Sequence, residues 1–474
     1  MKILFASAEA APYMKVGGLG DVAYALPKAL AGQGEEVAVV MPLYKGIKEQ
    51  FVGELEFVCD FGVPLGWRQQ YGGVFRQMCG DVTYYFIDNE YYFWRDDVYG
   101  YHDDGERFAY FCKALLEMLP HIDFFPDVIH ANDWPCALVP LFLKHFYQQI
   151  EAYRPVKTMF TIHNIEYQGK APLTFATEVL GLSEAAIQEL AFNGCLNFMF
   201  SAICLADKVT TVSENYAGEL QTDYYGGALS SVLQGVSYKF CGITNGIDTE
   251  LFNPKQDPHL FHRYDVKTMA GKKIGKRKLR EHLGLLPEED VPIVAMVSRL
   301  AGHKGLELLA YVRHELMQRR LQLVVLGTGD AEFENMLQEL AGTYPGRVSV
   351  NLRYDADLAS KIYAAADLFL MPSKSEPCGL AQMIAMRYGA IPIVRETGGL
   401  YDTVAPVDPE TGEGQGFTFK SYNAHDMLDA VDRALWFYYE KKPEWKKVVY
   451  SNMERDFGWG KSAERYRAIY HSMH

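Results

Sequence analysis

One carboxylate stands out among the residues of this chain that could do chemistry. Glu376 lies in the polar, turn-rich segment Ser373–Cys378, between an apolar run that ends at Pro372 and apolar residues at helical spacing from Leu380 onward. We expect Glu376 to lie just before a helix N-terminus, where backbone N–H groups and the helix dipole keep a carboxylate ionised. An ionised carboxylate can accept hydrogen bonds from two sugar hydroxyls at once. The alternative is an ordinary helix cap.

A glycine turn follows about twenty residues later. Ile391–Val394 is predicted as a short buried strand, and Thr397, Gly398 and Gly399 form a tight loop after it. We expect their N–H groups to be unblocked and able to cradle an anion such as a diphosphate. An ordinary turn is the alternative. Because both loops leave consecutive strands at the edge where open α/β sheets bind ligands, together they favour a nucleotide-sugar site.

Two cations follow another predicted strand. Pro292–Ser298 is short and apolar, and Arg299 and Lys304 come directly after it. A guanidinium fork can grip two diphosphate oxygens, an ammonium adds a point charge, and this spacing lets both reach one anion. Two ordinary surface cations are the alternative. Tyr354, after the predicted strand Val348–Leu352, is a candidate platform for a purine ring, with a half-buried loop tyrosine as the alternative.

A long loop with glycines follows the first predicted strand, Lys2–Ala8. Gly18, Gly20 and Ala23 formally match a dinucleotide-binding fingerprint, but the loop separates them from the strand, and no acidic residue lies about 20 positions on to bind a ribose. We therefore reject that fingerprint. The loop instead carries one cation, Lys15, toward the ligand edge of the sheet. A solvated loop lysine is the alternative that the residues alone leave open.

The segment Tyr84–Phe111 is dense in aromatic and charged residues. Residues 83–88 alternate as a strand does, and the rest carries too many charges for a core. Aromatic faces can stack on sugar C–H faces, with hydrogen bonds from polar side chains at the rim. A carbohydrate-binding surface and a hydrophobic cluster under a loop are equal alternatives here.

Two further predicted strands end in polar residues. Asp127–Ala131 runs into Asp133 and Trp134, and Met159–His163 runs into Asn164. The ends of parallel strands share one sheet edge, so we expect these residues at the ligand side. Asp133 can accept hydrogen bonds from hydroxyls, and Trp134 can shape a pocket. A lone histidine at a strand end is usually structural.

Strands and helices alternate in both halves of the chain, which predicts two doubly wound, Rossmann-like α/β domains with mostly parallel sheets. Residues 252–292 are rich in Pro, Lys, Gly and His and indicate the connection between the domains. We expect an N-terminal domain over residues 1–250 and a C-terminal domain over residues 251–457. The last helix, about 458–474, is a candidate to pack back on the first domain.

The composition limits the function classes. The 474 residues are 49% hydrophobic and 22% charged, as is ordinary for a soluble globular chain. The net charge of −14 argues against a nucleic-acid or anionic-membrane partner. The eight cysteines are scattered without a C-x-x-C motif, so we expect reduced thiols in the cytoplasm rather than a zinc site or disulfides. No apolar stretch is long enough to span a membrane.

Four motifs carry a family resemblance: KVGGLGD (Lys15–Asp21), SRLAGHKG (Ser298–Gly305), SEPCGLAQ (Ser375–Gln382) and TGGL (Thr397–Leu400). In this order and at this spacing they resemble bacterial glycogen synthase, the ADP-glucose-dependent family that also contains plant starch synthases. The resemblance runs from Met1 to about Tyr470. It implies the GT-B glycosyltransferase fold, in which two Rossmann-like domains face each other across a cleft.

The resemblance also implies roles for single residues. Catalysis falls to Glu376, His163, Arg299, Lys304 and Asp133. The matching histidine contacts the transferred glucose, so His163 is assigned that contact rather than the role of general base. Donor binding falls to Lys15, Gly17, Gly18, Asp21, Arg299, Lys304, Tyr354, Glu376, Cys378, Gly379, Thr397, Gly398 and Gly399. Acceptor binding falls to Trp94, Tyr99, Asp104, Asp133, Trp134 and Asn164.

The implied reaction transfers glucose from ADP-glucose to the non-reducing end of an α-1,4-glucan such as glycogen, with retention of configuration. Since no nucleophilic carboxylate is obvious, retention suggests front-face attack with the leaving phosphate as the base. Neither a metal nor another cofactor is implied, because the arginine and the lysines neutralise the diphosphate. The sequence leaves a homo-oligomer open.

Several positions depart from the pattern of the family. They are Ala38, Phe200 and Gly275, together with Asp104 where many members have Asn. These departures keep two alternatives open: a weakly active or non-catalytic glucan-binding relative, and a retaining glycosyltransferase that uses UDP-glucose. Polymer extension from ADP-glucose would separate them.

Overall fold

The chain folds into two compact units, in a computed structural model that describes every residue from Met1 to His474. The first unit contains Met1–Gly246 and Trp459–His474, and the second contains Ile247–Gly458. The expected domain boundaries, near residues 250 and 457, lie close to this division.

A nine-stranded sheet forms the centre of the first unit. The strands of this unit are β1 (Lys2–Ala6), β2 (Glu36–Pro42), β3 (Glu56–Leu65), β4 (Arg68–Cys79), β5 (Val82–Asp88), β6 (Val128–Asn132), β7 (Lys157–Ile162), β8 (Lys170–Ala171), β9 (Ala191–Phe192), β10 (Cys195–Asn197), β11 (Lys208–Thr211) and β12 (Phe240–Gly242). The order is β12-β11-β7-β6-β1-β2-β5-β4-β3. It is parallel as far as β5, whereas β4 and β3 add antiparallel at one edge. The short strands β8, β10 and β9 form a separate antiparallel sheet.

The helices of the first unit are mostly short. They are α1 (Gly18–Gly32), α2 (Lys45–Phe51), α3 (Glu90–Phe93), α4 (Asp104–Met118), α5 (Val139–Phe142), α6 (Phe175–Glu178), α7 (Glu184–Ile187), α8 (Phe198–Leu205), α9 (Glu214–Glu219), α10 (Asp223–Gly226), α11 (Ser230–Gly235) and, at the end of the chain, α20 (Gly460–His471).

The second unit has a six-stranded, wholly parallel sheet in the order β15-β14-β13-β16-β17-β18. Its strands are β13 (Ile293–Val297), β14 (Gln322–Leu326), β15 (Val348–Asn351), β16 (Leu368–Met371), β17 (Ile391–Arg395) and β18 (Phe417–Phe419). Its helices are α12 (Ala270–Leu283), α13 (Leu306–Leu316), α14 (Ala331–Thr343), α15 (Ala356–Ala365), α16 (Ala381–Arg387), α17 (Gly398–Thr403), α18 (Ala424–Glu440) and α19 (Lys442–Glu454). In neither unit does a helix combine the length and apolar composition needed to cross a bilayer.

Each parallel sheet has a point where the strand order reverses. In the first unit β1 lies between β2 and β6, and in the second β13 lies between β14 and β16. The loops that leave the two strands flanking such a reversal diverge and open a crevice, which is where open α/β sheets bind ligands. Three of the four motifs of the sequence analysis lie on these loops, after β1, β13 and β16, and the fourth, TGGL, follows the next strand, β17.

The last helix, α20, packs on the first unit through polar contacts. The Tyr470 hydroxyl lies 2.7 Å from Nδ1 of His130, which is fully buried on β6. Arg467 and His471 hydrogen-bond to the buried carboxylate of Glu35, at 2.6 and 2.9 Å, and the Met1 amine also binds it at 2.7 Å. Burial raises the pKa of Glu35, but these three hydrogen bonds outweigh burial and hold that pKa at about 2.

Three features differ from the sequence predictions. The hairpin β3–β4 was not predicted, because its half-exposed residues lack a regular alternation. Beyond residue 88, the charges in the segment Tyr84–Phe111 predict that it lies outside the core, yet Arg107 is fully buried. Its guanidinium donates to the backbone oxygens of Tyr92 and Val98 and pairs with Asp104, so its charge is compensated inside the protein. Thr397–Gly399 is the first turn of α17 rather than an isolated loop.

We predict that Glu35→Gln will lower the melting temperature of the protein at neutral pH. Because the pKa of Glu35 is lowered from 4.5 to about 2 in the folded state, its stabilisation is complete above pH 4.5 and disappears as the pH falls toward 2. Calorimetry across this range should therefore show the difference between wild type and variant shrinking. Glu36→Gln, on the neighbouring exposed residue, is the matched control. A difference that stays constant down to pH 2 would contradict this account.

Candidate active site

The carboxylate of Glu376 is the centre of the site in the second unit. Glu376 is 6% exposed and lies in the loop between β16 and α16. Both of its oxygens accept hydrogen bonds from Nζ of Lys304 at 2.8 Å, and Oε2 also accepts one from Oγ of Ser373 at 2.9 Å. The expected helix N-terminus is not adjacent, because α16 begins five residues later at Ala381. An ion pair with Lys304, rather than a helix dipole, therefore compensates the buried charge.

A close contact between neighbouring loops brings Lys304 to Glu376. Lys304 ends a short 3-10 turn, Gly302–Lys304, after β13. The next residue, Gly305, has a φ of +78°, and a Cβ there would lie 2.0 Å from the carbonyl oxygen of Pro372. Only glycine allows both this conformation and this approach. The loops after β13 and β16 therefore pack backbone to backbone at the point where the strand order reverses.

The glycines after β17 have a different role from the one predicted. Gly399 donates its N–H to the carbonyl oxygens of Glu376 and Pro377, both at 3.1 Å, and Thr397 donates to Arg395 at 2.9 Å. These two N–H groups are therefore not unblocked, and the predicted anion cradle is wrong for them. A Cβ at Gly398 would lie 1.9 Å from the carbonyl oxygen of Glu376. The glycines let α17 pack directly against the loop that holds Glu376.

Gln382 is a supporting residue that the sequence analysis missed. Its side chain is fully buried, and its Nε2 donates to the backbone oxygens of Cys378 and Gly379, at 3.1 and 2.8 Å, and to Oγ1 of Thr403 at 3.0 Å. It thus joins the loop of Glu376 to α17. The available signal was its place as the last residue of the SEPCGLAQ motif.

Arg299 and Tyr354 are available to a ligand. Arg299 is exposed on the loop after β13, and its guanidinium has no hydrogen bond or ion pair. Tyr354 is 79% exposed on the loop after β15, and its ring has no aromatic neighbour. An unpaired guanidinium and an open ring face are suited to a diphosphate and to a flat base, respectively.

In the first unit, the loop after β1 is held by a carboxylate that the sequence analysis also missed. Glu9 is 4% exposed, and its Oε2 accepts hydrogen bonds from the N–H groups of Val16 and Gly17, at 2.6 and 3.0 Å. These N–H groups precede the first turn of α1, which begins at Gly18. The sequence feature that could have indicated Glu9 is a carboxylate directly after a predicted buried strand. Nζ of Lys15 lies 2.8 Å from Oδ1 of Asp21, so Lys15 is paired within its own motif.

Asp133 follows β6 in an unusual backbone conformation. Its φ is +55°, which is uncommon for a residue other than glycine and directs the side chain toward the end of β7. Oδ1 accepts hydrogen bonds from the N–H groups of His163, at 2.7 Å, and Asn164, at 3.3 Å. Burial raises the pKa of Asp133 to about 7, although these two hydrogen bonds oppose the rise. The predicted residues Asp133, His163 and Asn164 are therefore in contact.

The imidazole of His163 is neutral and held in one tautomer. Burial lowers its pKa to about 3. Nε2 lies 2.9 Å from Oδ1 of Asn132, whose Nδ2 donates to the carbonyl oxygens of Ala6 and His130. Since the amide oxygen of Asn132 must accept, Nε2 of His163 carries the proton and Nδ1 keeps a lone pair. That lone pair can accept a hydrogen bond from a hydroxyl, and because the ring is neutral it does not act as a general acid near neutral pH.

One of the predicted acceptor residues has an exposed ring, and the others make hydrogen bonds or ring contacts within the first unit. Trp94 is 43% exposed. The Tyr99 hydroxyl donates to Oε1 of Glu9 at 3.0 Å, and Asp104 accepts from the N–H of Gly100 at 2.8 Å. The Trp134 ring packs edge-on against Phe108, with 5.1 Å between centroids. The three departures at Ala38, Phe200 and Gly275 lie outside all of these loops, on β2, α8 and α12.

We predict that Lys304→Ala will destabilise the protein by about 1–3 kcal/mol, because it leaves the buried carboxylate of Glu376 without its cation. Glu376→Gln removes the charge, so the double variant should lose less stability than the sum of the single losses. Thermal unfolding of the four proteins measures this coupling. Lys374→Ala, an exposed lysine in the same loop, is the control. Strict additivity of the two losses would show that the pair does not stabilise the site.

Comparisons with known proteins identify the family of this chain. The family model described as starch synthase catalytic domain matches residues 2–235, and the model described as glycosyl transferases group 1 matches residues 278–446. The chain is 49% identical to a glycogen synthase of Anoxybacillus flavithermus, over 99% of this chain and 97% of that protein. It is also 49% identical to a glycogen synthase of Clostridium acetobutylicum, over the full length of both.

Two solved structures share the fold. The catalytic domain of starch synthase IV from Arabidopsis thaliana, bound to ADP and acarbose, is 35% identical with a TM-score of 0.93, over 100% of this chain and 99% of that chain. A sucrose-phosphate synthase from Thermosynechococcus elongatus is 19% identical with a TM-score of 0.62, over 100% of this chain and 98% of that chain, and shows the fold alone. The chain therefore has the GT-B fold and belongs to the glycogen and starch synthase family of glycosyltransferases.

Proposed function

We propose that this glycosyltransferase moves glucose from ADP-glucose to the non-reducing end of an α-1,4-glucan such as glycogen, with retention of configuration. The observation that carries the proposal is the pairing of Lys304 with the buried Glu376, at the strand reversal of the second unit and on the same loop as the unpaired Arg299. The ADP and acarbose bound to the Arabidopsis relative support a nucleotide-sugar donor and a glucan acceptor.

The donor side of the proposal depends on cations. As the bond between the glucose C1 and the diphosphate oxygen of ADP-glucose breaks, negative charge develops on the diphosphate oxygens. Arg299 is free to meet that charge, and Lys304 can share its ammonium between the phosphate and Glu376. Lys15 is the corresponding cation of the first unit. Each fixed donor of this kind is worth about 3 kcal/mol in a transition state. The proposal includes no metal and no other cofactor, because these cations supply the neutralising charge.

The sugar side of the proposal depends on fixed acceptors. Glu376, Asp133 and Nδ1 of His163 each offer an oxygen or nitrogen lone pair to a glucosyl hydroxyl. The ring gains positive charge in the transition state, which the two carboxylates stabilise. Since His163 is neutral, it orients the sugar without exchanging a proton. We therefore assign the proton of the attacking hydroxyl to the leaving phosphate, which accounts for front-face attack and retention.

The cellular location that fits this proposal is the cytoplasm. None of the eight cysteines forms a disulfide. A reducing compartment maintains such thiols.

Polymer extension with two donors tests the function. Purified protein, glycogen and labelled ADP-glucose should give labelled polymer, and Glu376→Gln should lose most of this activity. kcat/KM should be far higher with ADP-glucose than with UDP-glucose, because a purine offers more stacking area to Tyr354 than uracil does. Tyr354→Ala should narrow this preference, whereas Tyr311→Ala, another exposed tyrosine of the second unit, should not.

Either alternative would be recognised in the same assay. A glucan-binding relative would give no polymer above the Glu376→Gln background. A UDP-glucose enzyme would show equal or reversed donor preference.

The acid limb of the pH profile of kcat/KM should reflect the ionisation of the Asp133 carboxyl group. Its pKa of about 7 means that the carboxyl is half protonated at neutral pH, and only the ionised form can stabilise a cationic sugar. We therefore expect kcat/KM to rise with pH through about 7. In Asp133→Asn this limb should disappear, together with most of the activity. An unchanged limb in the variant would assign it to another group.

A further inference from the structure

Glu9 joins two loops of the first unit that the proposed reaction assigns to different substrates. Its Oε2 accepts hydrogen bonds from Val16 and Gly17, beside the donor residue Lys15. Its Oε1 accepts a hydrogen bond from the Tyr99 hydroxyl at 3.0 Å, in the segment assigned to glucan. One carboxylate thus binds the donor loop through one oxygen and the acceptor segment through the other.

The backbone around Glu9 is fixed independently of these two loops. Oγ of Ser7 donates to the carbonyl oxygen of Glu9 at 2.7 Å. The hydroxyl of Tyr44, which is buried, donates to the carbonyl oxygen of Ala8 at 2.8 Å. Glu9 itself is 4% exposed, so water does not replace a hydrogen bond that one loop withdraws. A loop that leaves the carboxylate therefore costs free energy, because it uncovers a buried charge.

Tyr99 is connected in turn to the glucan side of the unit. Its ring lies 5.9 Å from that of Phe108, which packs against the Trp134 ring at 5.1 Å. The next residue, Gly100, donates its N–H to Asp104. A glucan that binds Trp134 or Asp104 therefore contacts residues that help to hold Tyr99 in position.

We propose that Glu9 is a positioning residue that couples the two substrates. Glucan that orders the segment around Tyr99 also orders, through Glu9, the loop that presents Lys15. Each substrate then binds more tightly when the other is present, and by the same factor in both directions, as linkage requires. This inference rests on the proposed function. A hydrogen bond that only stabilises the fold would change the melting temperature and leave this factor unaltered.

Equilibrium binding measures the factor directly, with ADP and maltopentaose as probes. Titration calorimetry gives the Kd of ADP in the absence and in the presence of saturating maltopentaose. We expect maltopentaose to tighten ADP binding by at least about fivefold in the wild type. In Tyr99→Phe, which keeps the ring and removes the hydroxyl, the two Kd values should become equal. Tyr44→Phe is the matched control, because it removes a buried hydroxyl that donates to the backbone beside Glu9, at Ala8, and does not bind the Glu9 carboxylate. It should keep the wild-type factor.

Glu9→Gln provides a second variant. Its amide has a single oxygen, which can accept from the N–H groups of Val16 and Gly17 or from the Tyr99 hydroxyl, but not from both sides. We therefore expect weaker ADP binding even without maltopentaose, and a smaller increase in ADP affinity when maltopentaose is present. Two results would overturn the coupling: maltopentaose leaves the Kd of ADP unchanged in the wild type, or it tightens ADP binding in Tyr99→Phe as much as in the wild type. If the protein still extends glycogen, the proposed function stands in either case. A wild type that neither extends glycogen nor binds ADP would overturn the proposed function, and the coupling with it.

Discussion

The buried negative charge of Glu376 is the constraint on which the second unit depends. A carboxylate that is 6% exposed is tolerated only if cations and hydrogen-bond donors approach it closely. Lys304 and Ser373 satisfy that requirement. Ser373 lies in the same loop as Glu376, after β16, whereas Lys304 comes from the loop after β13. The strands therefore have to be neighbours in the sheet, so the order of strands in this unit is a condition for the chemistry as well as for the core.

Glycines make these approaches feasible. At Gly305, Gly398 and Gly399 an added Cβ would lie about 2 Å from a backbone atom of the loop that holds Glu376 or of the residue that begins it. The glycines of the motifs thus allow main chain to pack on main chain, which fixes the carboxylate more rigidly than side-chain packing would. Gln382 adds hydrogen bonds across the same contact.

The sequence predicted the alternating elements well because their signals are local. Short apolar runs and helical spacing located β13, β16 and β17 to within a residue or two of their observed ends. It predicted less well what depends on three-dimensional neighbours. The pattern predicts exposed N–H groups at Thr397, Gly398 and Gly399, but Gly399 donates its N–H to carbonyl oxygens in the loop of Glu376. Glu9 went unnoticed because its partners lie up to 90 residues away in sequence. The order of strands, which decides such contacts, leaves no trace in the local pattern.

The two units thus solve one physical problem in the same way. A loop that must bind a ligand has to remain open on one side, so it cannot be fixed by a hydrophobic core of its own. In each unit a buried carboxylate at the strand reversal supplies directional bonds instead: Glu376 to a lysine and a serine, Glu9 to two backbone amides and a tyrosine. Because such a bond is costly to break and precise in direction, it holds a loop in place without covering it. It also links whatever it joins. Glu376 ties its own loop to that of Lys304, and Glu9 ties the loop of Lys15 to the aromatic segment, so in both units the placing of one group depends on another group being in position.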